Sequence, residues 1–192
     1  RLNMRPFCFF VFTKIVFSQN LAFERFQEYV KAPNGCVFHI EFKQSYYDEI
    51  LVSNGVFYKT KEIYIYDNSE QYIEYDNQHI KTINKLNKQV ILDSLKKNDV
   101  TIFDILSGNK KNIIFHPSII KNEQINIPFE IELWGIKGSI WTDQVNGSPK
   151  KISFTQGEDI KVDISIISSI NDSLFSPPKY DVTNYEVINL IE

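Results

Sequence analysis

The sequence predicts a mainly β (α+β) protein: one large antiparallel sheet curled round its apolar side, with two short helices closing the concavity. Three observations carry this. Period-2 alternation recurs along most of the chain, as where Phe38, Ile40 and Phe42 face one way and His39, Glu41 and Lys43 the other. The links between these runs are short and rich in Asp, Asn, Ser and Lys, which suits antiparallel neighbours and leaves no room for crossover helices. Only two segments carry helical spacing. The 192 residues fit one domain, and no internal repeat or long linker divides them.

Met4 is the sole methionine, and an apolar run interrupted by Lys14 leads from it to Val16-Phe17-Ser18. A short basic start, an apolar stretch and Val16-Phe17-Ser18 before Gln19 read as a secretory leader over residues 1–18, followed by the domain proper over 19–192; the alternative is a buried or membrane-lying first segment. The run is too short to span a bilayer as a helix. From Asn20, a plausible N-cap, Phe23, Phe26 and Val30 recur at i, i+3 and i+7 with Ala22 and Tyr29 beside them, until Pro33 and Gly35 stop the helix.

Strands are then expected at residues 37–46, 50–60, 62–67, 71–75, 78–83 and 88–92. In the third of these, Ile63 and Ile65 oppose Tyr64 and Tyr66, so both of its faces must be covered. Gln44 shares parity with Phe38, Ile40 and Phe42. An amide carries four hydrogen-bonding sites, so an ordinary dry core is a poor place for it.

The second helix is expected between residues 98 and 108. Thr101 and Asp104 fit the S/T-x-x-D/E capping pattern, Ile102, Phe103, Ile105 and Leu106 form an apolar face, and Gly108 ends it. Strands resume at 113–116, 127–134, 137–143, 150–156, 159–168 and 185–191. Asn146-Gly147 marks a hairpin. Ile127, Phe129, Ile131 and Leu133 form one apolar face, and Ile160, Val162, Ile164 and Ile166 another.

A hydrophobic share of 43% and a charged share of 23% fit a soluble globular chain. The net charge of −3 and the lack of a basic stripe leave nucleic acid without an electrostatic footprint. His39, His79 and His116 have no partners at metal-ligand spacing, and solvated strand and turn positions explain them. No nucleophile motif or phosphate loop occurs. Asp48-Glu49 and Glu158-Asp159 read as solvated turns. The chain is therefore expected not to be an enzyme and to need no cofactor or metal. Removal of the leader also removes Cys8 and leaves Cys36 without a disulfide partner.

Several motifs fall in one order. Phe38, Phe42 and Gln44 give F-x-x-x-F-x-Q, followed by G-V-F-Y from Gly55. Y-I-E-Y at Tyr72–Tyr75, N-K-Q-V at Asn87–Val90, the helix at Asp99–Gly108, L-F-S-P-P at Leu174–Pro178 and Y-E-V-I-N-L at Tyr185–Leu190 come next. Over most of residues 20–190 this order resembles the bacterial outer-membrane lipoprotein carrier family (LolA-like). The resemblance implies an unclosed antiparallel β-barrel with a helical lid over an apolar cavity, and export to the periplasm. It implies a monomeric carrier that takes acylated lipoproteins from an inner-membrane release complex, shields their acyl chains and passes them to an outer-membrane acceptor. The alternative is a lipid- or lipoprotein-binding or sensing module of the same fold with different cargo.

The expected acyl cavity and lid comprise Phe23, Phe26, Phe38, Ile40, Phe42, Phe57, Ile102, Phe103 and Leu106. In the family an arginine at the end of the second strand bonds the lid helices. Counted from Gly55, that position holds Lys61, followed by Glu62 where the family has proline. Lysine is a point donor without the planar fork of arginine. Lys61 and Gln44 are the expected polar latch of the lid.

Overall fold

The computed structural model describes residues 21–61, 63–76, 78–95, 100–108, 112–172 and 175–191. The expected leader and the Asn20 cap lie outside the described residues. Helix α1 covers residues 21–30. Six strands follow: β1 (Cys36–Tyr46), β2 (Glu49–Lys59), β3 (Tyr64–Asn68), β4 (Gln71–Tyr75), β5 (His79–Asn84) and β6 (Gln89–Ser94). Helix α2 (Ile102–Leu106) comes next. The second half holds β7 (Ile114–Phe115), β8 (Ile119–Lys121), β9 (Gln124–Ile131), β10 (Ile136–Asp143), β11 (Pro149–Gln156), β12 (Ile160–Asn171) and β13 (Glu186–Asn189).

All thirteen strands form one sheet in the order β13-β6-β5-β4-β3-β2-β1-β12-β11-β10-β9-β7, with β8 also paired to β9. The sheet is not closed into a barrel. Its pairings are antiparallel except the last, where β13 runs parallel to β6. The expected single curled sheet is therefore present, with this one parallel strand added at its edge.

The main core lies on the concave face. Residues Ala22, Phe23, Phe26, Tyr29 and Val30 of α1 and Phe103, Ile105 and Leu106 of α2 pack there against the inward strand residues. Strand β3 is covered on both sides, as its sequence requires. Tyr64 joins the concave core, while Ile65 joins a second cluster with Tyr72, Ile83 and Val90 on the convex face. Tyr180, Val182 and Tyr185 of the C-terminal segment pack over that second cluster.

A polar knot ties the segment down. Lys85 Nζ lies 2.7 Å from Asp67 Oδ1, and Tyr180 Oη donates to the same carboxylate at 2.8 Å. Lys85 also donates to Tyr180 Oη at 2.8 Å and to the Asn68 carbonyl. Burial works against the charge of Lys85, but its bonds to Asp67 and Tyr180 outweigh this and hold its pKa above the usual lysine value.

Two expectations need correction. Residues Glu132–Trp134 form a 3-10 turn, so the strand stops at Ile131 and Leu133 points to solvent, 69% exposed. Gly135, at φ 59°, ends that turn. Strand β8, absent from the sequence reading, forms a hairpin with β9 through Asn122 and Glu123, both at positive φ.

The hairpin between β10 and β11 does more than reverse the chain. Arg25 Nη1 of α1 donates to the Gln144 carbonyl at 2.8 Å, and a Cβ on Gly147 (φ 71°) would lie 2.5 Å from the Arg25 carbonyl group. The loop is therefore a backbone cradle for α1. Gly147→Ala is expected to cost about 1–3 kcal/mol through strain at positive φ and the clash with α1. A urea denaturation curve checks this, and an unchanged midpoint would show that the loop retreats from α1 freely.

Candidate functional site

The site is built around α2. Thr101 and Asp104 form the expected capping box: Thr101 N donates to Asp104 Oδ2 at 2.8 Å, and Asp104 N donates to Thr101 Oγ1 at 3.3 Å. This cap holds a helix of only five residues, too short to persist alone. Phe103 projects from it onto the concave face of the sheet. Its ring stacks on Phe57 at 5.8 Å and on Tyr75 at 5.7 Å, and Tyr64 lies 6.5 Å away. The stack continues from Phe57 to Phe38 at 5.7 Å and from Phe38 to Tyr29 of α1 at 6.5 Å.

Beside this stack lies a cavity of about 240 Å3. Six of the expected residues line it: Ile40, Phe42, Phe57, Ile102, Phe103 and Leu106. Phe23, Phe26 and Phe38 do not. They are buried in the core, where Phe23 meets Phe115 at 4.1 Å and Phe26 is fully covered. The sequence reading missed Leu51, Ser53, Tyr66, Gln71, Ile73 and Ile164, which also line the cavity. Strand parity was the available signal: Leu51 and Ser53 share a face with Phe57, and Ile164 shares one with Val162 and Ile166. Gly55 lies on that same face of β2, where the Tyr66 ring would come within 2.5 Å of any Cβ. A larger residue there would push this cavity wall aside.

The helices are joined by a bond that the sequence did not reveal. Gln27 Nε2 of α1 donates to the Gly108 carbonyl just beyond α2 at 2.7 Å. Gln44 is half-buried between Leu51 of β2 and Val162 of β12, and Leu51 itself is 60% exposed. Its amide thus sits toward the end of the β1–β2 hairpin, near water, which resolves the difficulty of an amide on an apolar face. Lys61 is exposed beyond the end of β2.

A second pocket of about 570 Å3 opens on the other side of Tyr64. Lys31, Lys59, Lys61, Tyr64 and Ser107 line it. Of the three lysines only Lys59 is buried, 6% exposed, and burial pulls its pKa below the usual lysine value. Burial also pushes the nearby Cys36 thiol up to about 12, so it stays protonated and unreactive. Among the described residues no group of three or more His, Cys, Asp or Glu is placed to hold a metal ion.

With this geometry in view, comparison with known proteins gives likenesses of structure. An uncharacterized conserved protein from Thermus thermophilus superposes with a TM-score of 0.56 at 7% identity, over 90% of this chain and 99% of that chain. A LolA superfamily protein from Nitrosomonas europaea superposes with a TM-score of 0.47 at 12% identity, over 83% of this chain and 94% of that one. The first of these is a likeness of fold. No family model and no curated protein matches the chain. Among the described residues, no helix is long and apolar enough to cross a membrane.

Proposed function

We propose that this protein is a periplasmic carrier that shields the acyl chains of lipoproteins and transfers them from the inner to the outer membrane. The supporting observation is the seating of Phe103, which occupies the concavity from a five-residue helix beside an apolar cavity. At about 240 Å3 the cavity is smaller than the roughly 300–1,000 Å3 of ordinary ligand sites. An acyl chain therefore enters by displacing the lid.

The energetics suit a carrier. Burying a dozen methylenes gains roughly 10 kcal/mol at about 0.8 kcal/mol each. Expelling a packed phenylalanine ring returns about 3–5 kcal/mol of that. Cargo is then held firmly enough to cross water, and the returning lid helps to release it. This role breaks no bond and uses neither cofactor nor metal. It engages an inner-membrane release complex and an outer-membrane acceptor, with the carrier acting as a monomer.

The test is native mass spectrometry of the chain from Gln19 onward, mixed with a triacylated lipoprotein and with its unacylated form. A 1:1 complex with the acylated form alone is expected. Equal binding of both forms, or of neither, would sink the proposal. The three lysines beyond Tyr64 favour a second reading, in which the same cavity serves another lipid. Delivery of an acylated protein to acceptor membranes separates the two.

A further inference from the structure

The pocket beyond Tyr64 has features that an acyl-chain site does not require. Three of its lining residues are lysines, and among the described residues no carboxylate lines it. Lys31, Lys59 and Lys61 form no ion pair with a carboxylate among the described residues. Lys59 is the informative one. It is 94% buried, and an ammonium has three protons to donate. Its one described hydrogen bond is long, 3.4 Å to the carbonyl of Thr60, and its nitrogen lies 5.8 Å from the centre of the Tyr64 ring. A charge taken out of water normally has a counter-charge or a full set of hydrogen bonds. Lys59 has neither within the described structure, and it borders an open volume of about 570 Å3.

The position of this pocket narrows the ligand. Tyr64 lines it and stacks at 6.4 Å on Phe57, which lines the apolar cavity. Ser107 lines it and directly follows Leu106, which also lines the apolar cavity. One layer of side chains thus separates a cationic pocket from an apolar one, and Phe103, the ring the cargo must displace, belongs to that layer. A ligand that joins the two is an amphiphile with an anionic head.

We infer that Lys31, Lys59 and Lys61 hold the phosphate or carboxylate headgroup of an anionic lipid whose acyl chain enters the neighbouring cavity. This inference rests on the acyl-binding reading for the tail and on the lysine pocket for the head. Lys59 supplies the buried charge that fixes the headgroup. Lys31 and Lys61, at the exposed rim, draw the anion in and make binding sensitive to salt.

Titration calorimetry on the protein tests it with three ligands: oleoyl lysophosphatidic acid, mono-olein with the same tail and no charge, and inorganic phosphate. The charged lipid is expected to bind at least tenfold more tightly than mono-olein. Lys59→Met, which keeps the length of the stem, is expected to bring the two within about twofold. Lys31→Ser/Lys61→Ser changes exposed positions only and is expected to reduce the preference about threefold at low salt. Phosphate alone is expected to bind only at millimolar concentrations.

Equal binding of the two lipids to the unaltered protein would overturn the headgroup site and leave the acyl cavity standing. A preference that persists undiminished in Lys59→Met and in the rim variant would overturn the assignment of these lysines. Tight phosphate binding with no lipid bound would make this a free-anion site, overturning the headgroup inference together with the carrier reading. Thermal melts of each variant without ligand show whether it is folded.

Discussion

Phe103→Ala is expected to lower stability by about 3–5 kcal/mol, and an acylated ligand is expected to recover much of that loss. The first half follows from burial. The ring is 5% exposed and stacks on Phe57 and Tyr75, so its removal leaves an apolar void on the concave face. The second half is particular to a lid. The void would join the cavity of about 240 Å3, and a chain entering it would no longer have a ring to expel. Affinity for acylated cargo should rise by tenfold or more while release slows. Denaturation midpoints with and without ligand, together with off-rates, check both halves. A variant that is destabilised without any gain in affinity would make Phe103 a plain core residue and count against the lid.

The second large effect is expected on the opposite face. Asp67→Asn removes the counter-charge of Lys85 and weakens the acceptor of Tyr180 Oη. Fully buried pairs lose about 3–5 kcal/mol when one partner is removed. Both side chains here remain 18% exposed, so solvent screening brings the expected loss to about 2 kcal/mol. Hydrogen exchange should localise the change to residues 175–191. The pH dependence has a definite sign. The pKa of Lys85 is raised in the folded state, so its contribution is complete below the ordinary lysine value of about 10.4 and is lost as the pH climbs through the raised value. Release of the C-terminal segment in the unaltered protein is therefore expected only in strong alkali, and Asp67→Asn should remove that step. A segment equally protected in the variant would show that Tyr72, Val182 and their neighbours hold it without the charges.

Much of this architecture was legible because alternation and burial agree. The expected strand at residues 71–75 coincides with β4, and the two-sided pattern of Ile63 to Tyr66 anticipated clusters on both faces of β3. The capping pattern at Thr101 and Asp104 likewise became a real capping box. Strand β8 was missed because Asn122-Glu123 reverses the chain at positive φ without the glycine that usually announces such a turn. Leu133 was misplaced because apolar alternation outlasts the strand: the turn at Glu132–Trp134 rotates it into solvent.

For the site, parity with Phe57 marks Lys59 as facing inward, yet counting along a motif led instead to Lys61, which is exposed. Gln27 could not have been identified from sequence, since its bond to Gly108 exists only once both helices are seated on the sheet. Contacts made between elements are the ones that local patterns cannot encode.

The place of β1 in the sheet has a consequence for how the chain reaches this state. Strands β1 to β6 form one meander and β9 to β12 another, each joined by short turns. They meet at a single seam where Cys36 faces Asn171 and Tyr46 faces Ile160. Each meander can zip from its own hairpins within microseconds, whereas the seam must close a loop of most of the chain and bears the largest entropic penalty. Until it does, the apolar edges of β1 and β12 stay unpaired and open to other chains. Assembly of this molecule is thus governed by the last pairing along the seam, and a nascent copy is most prone to aggregate in the interval before β12 is in place.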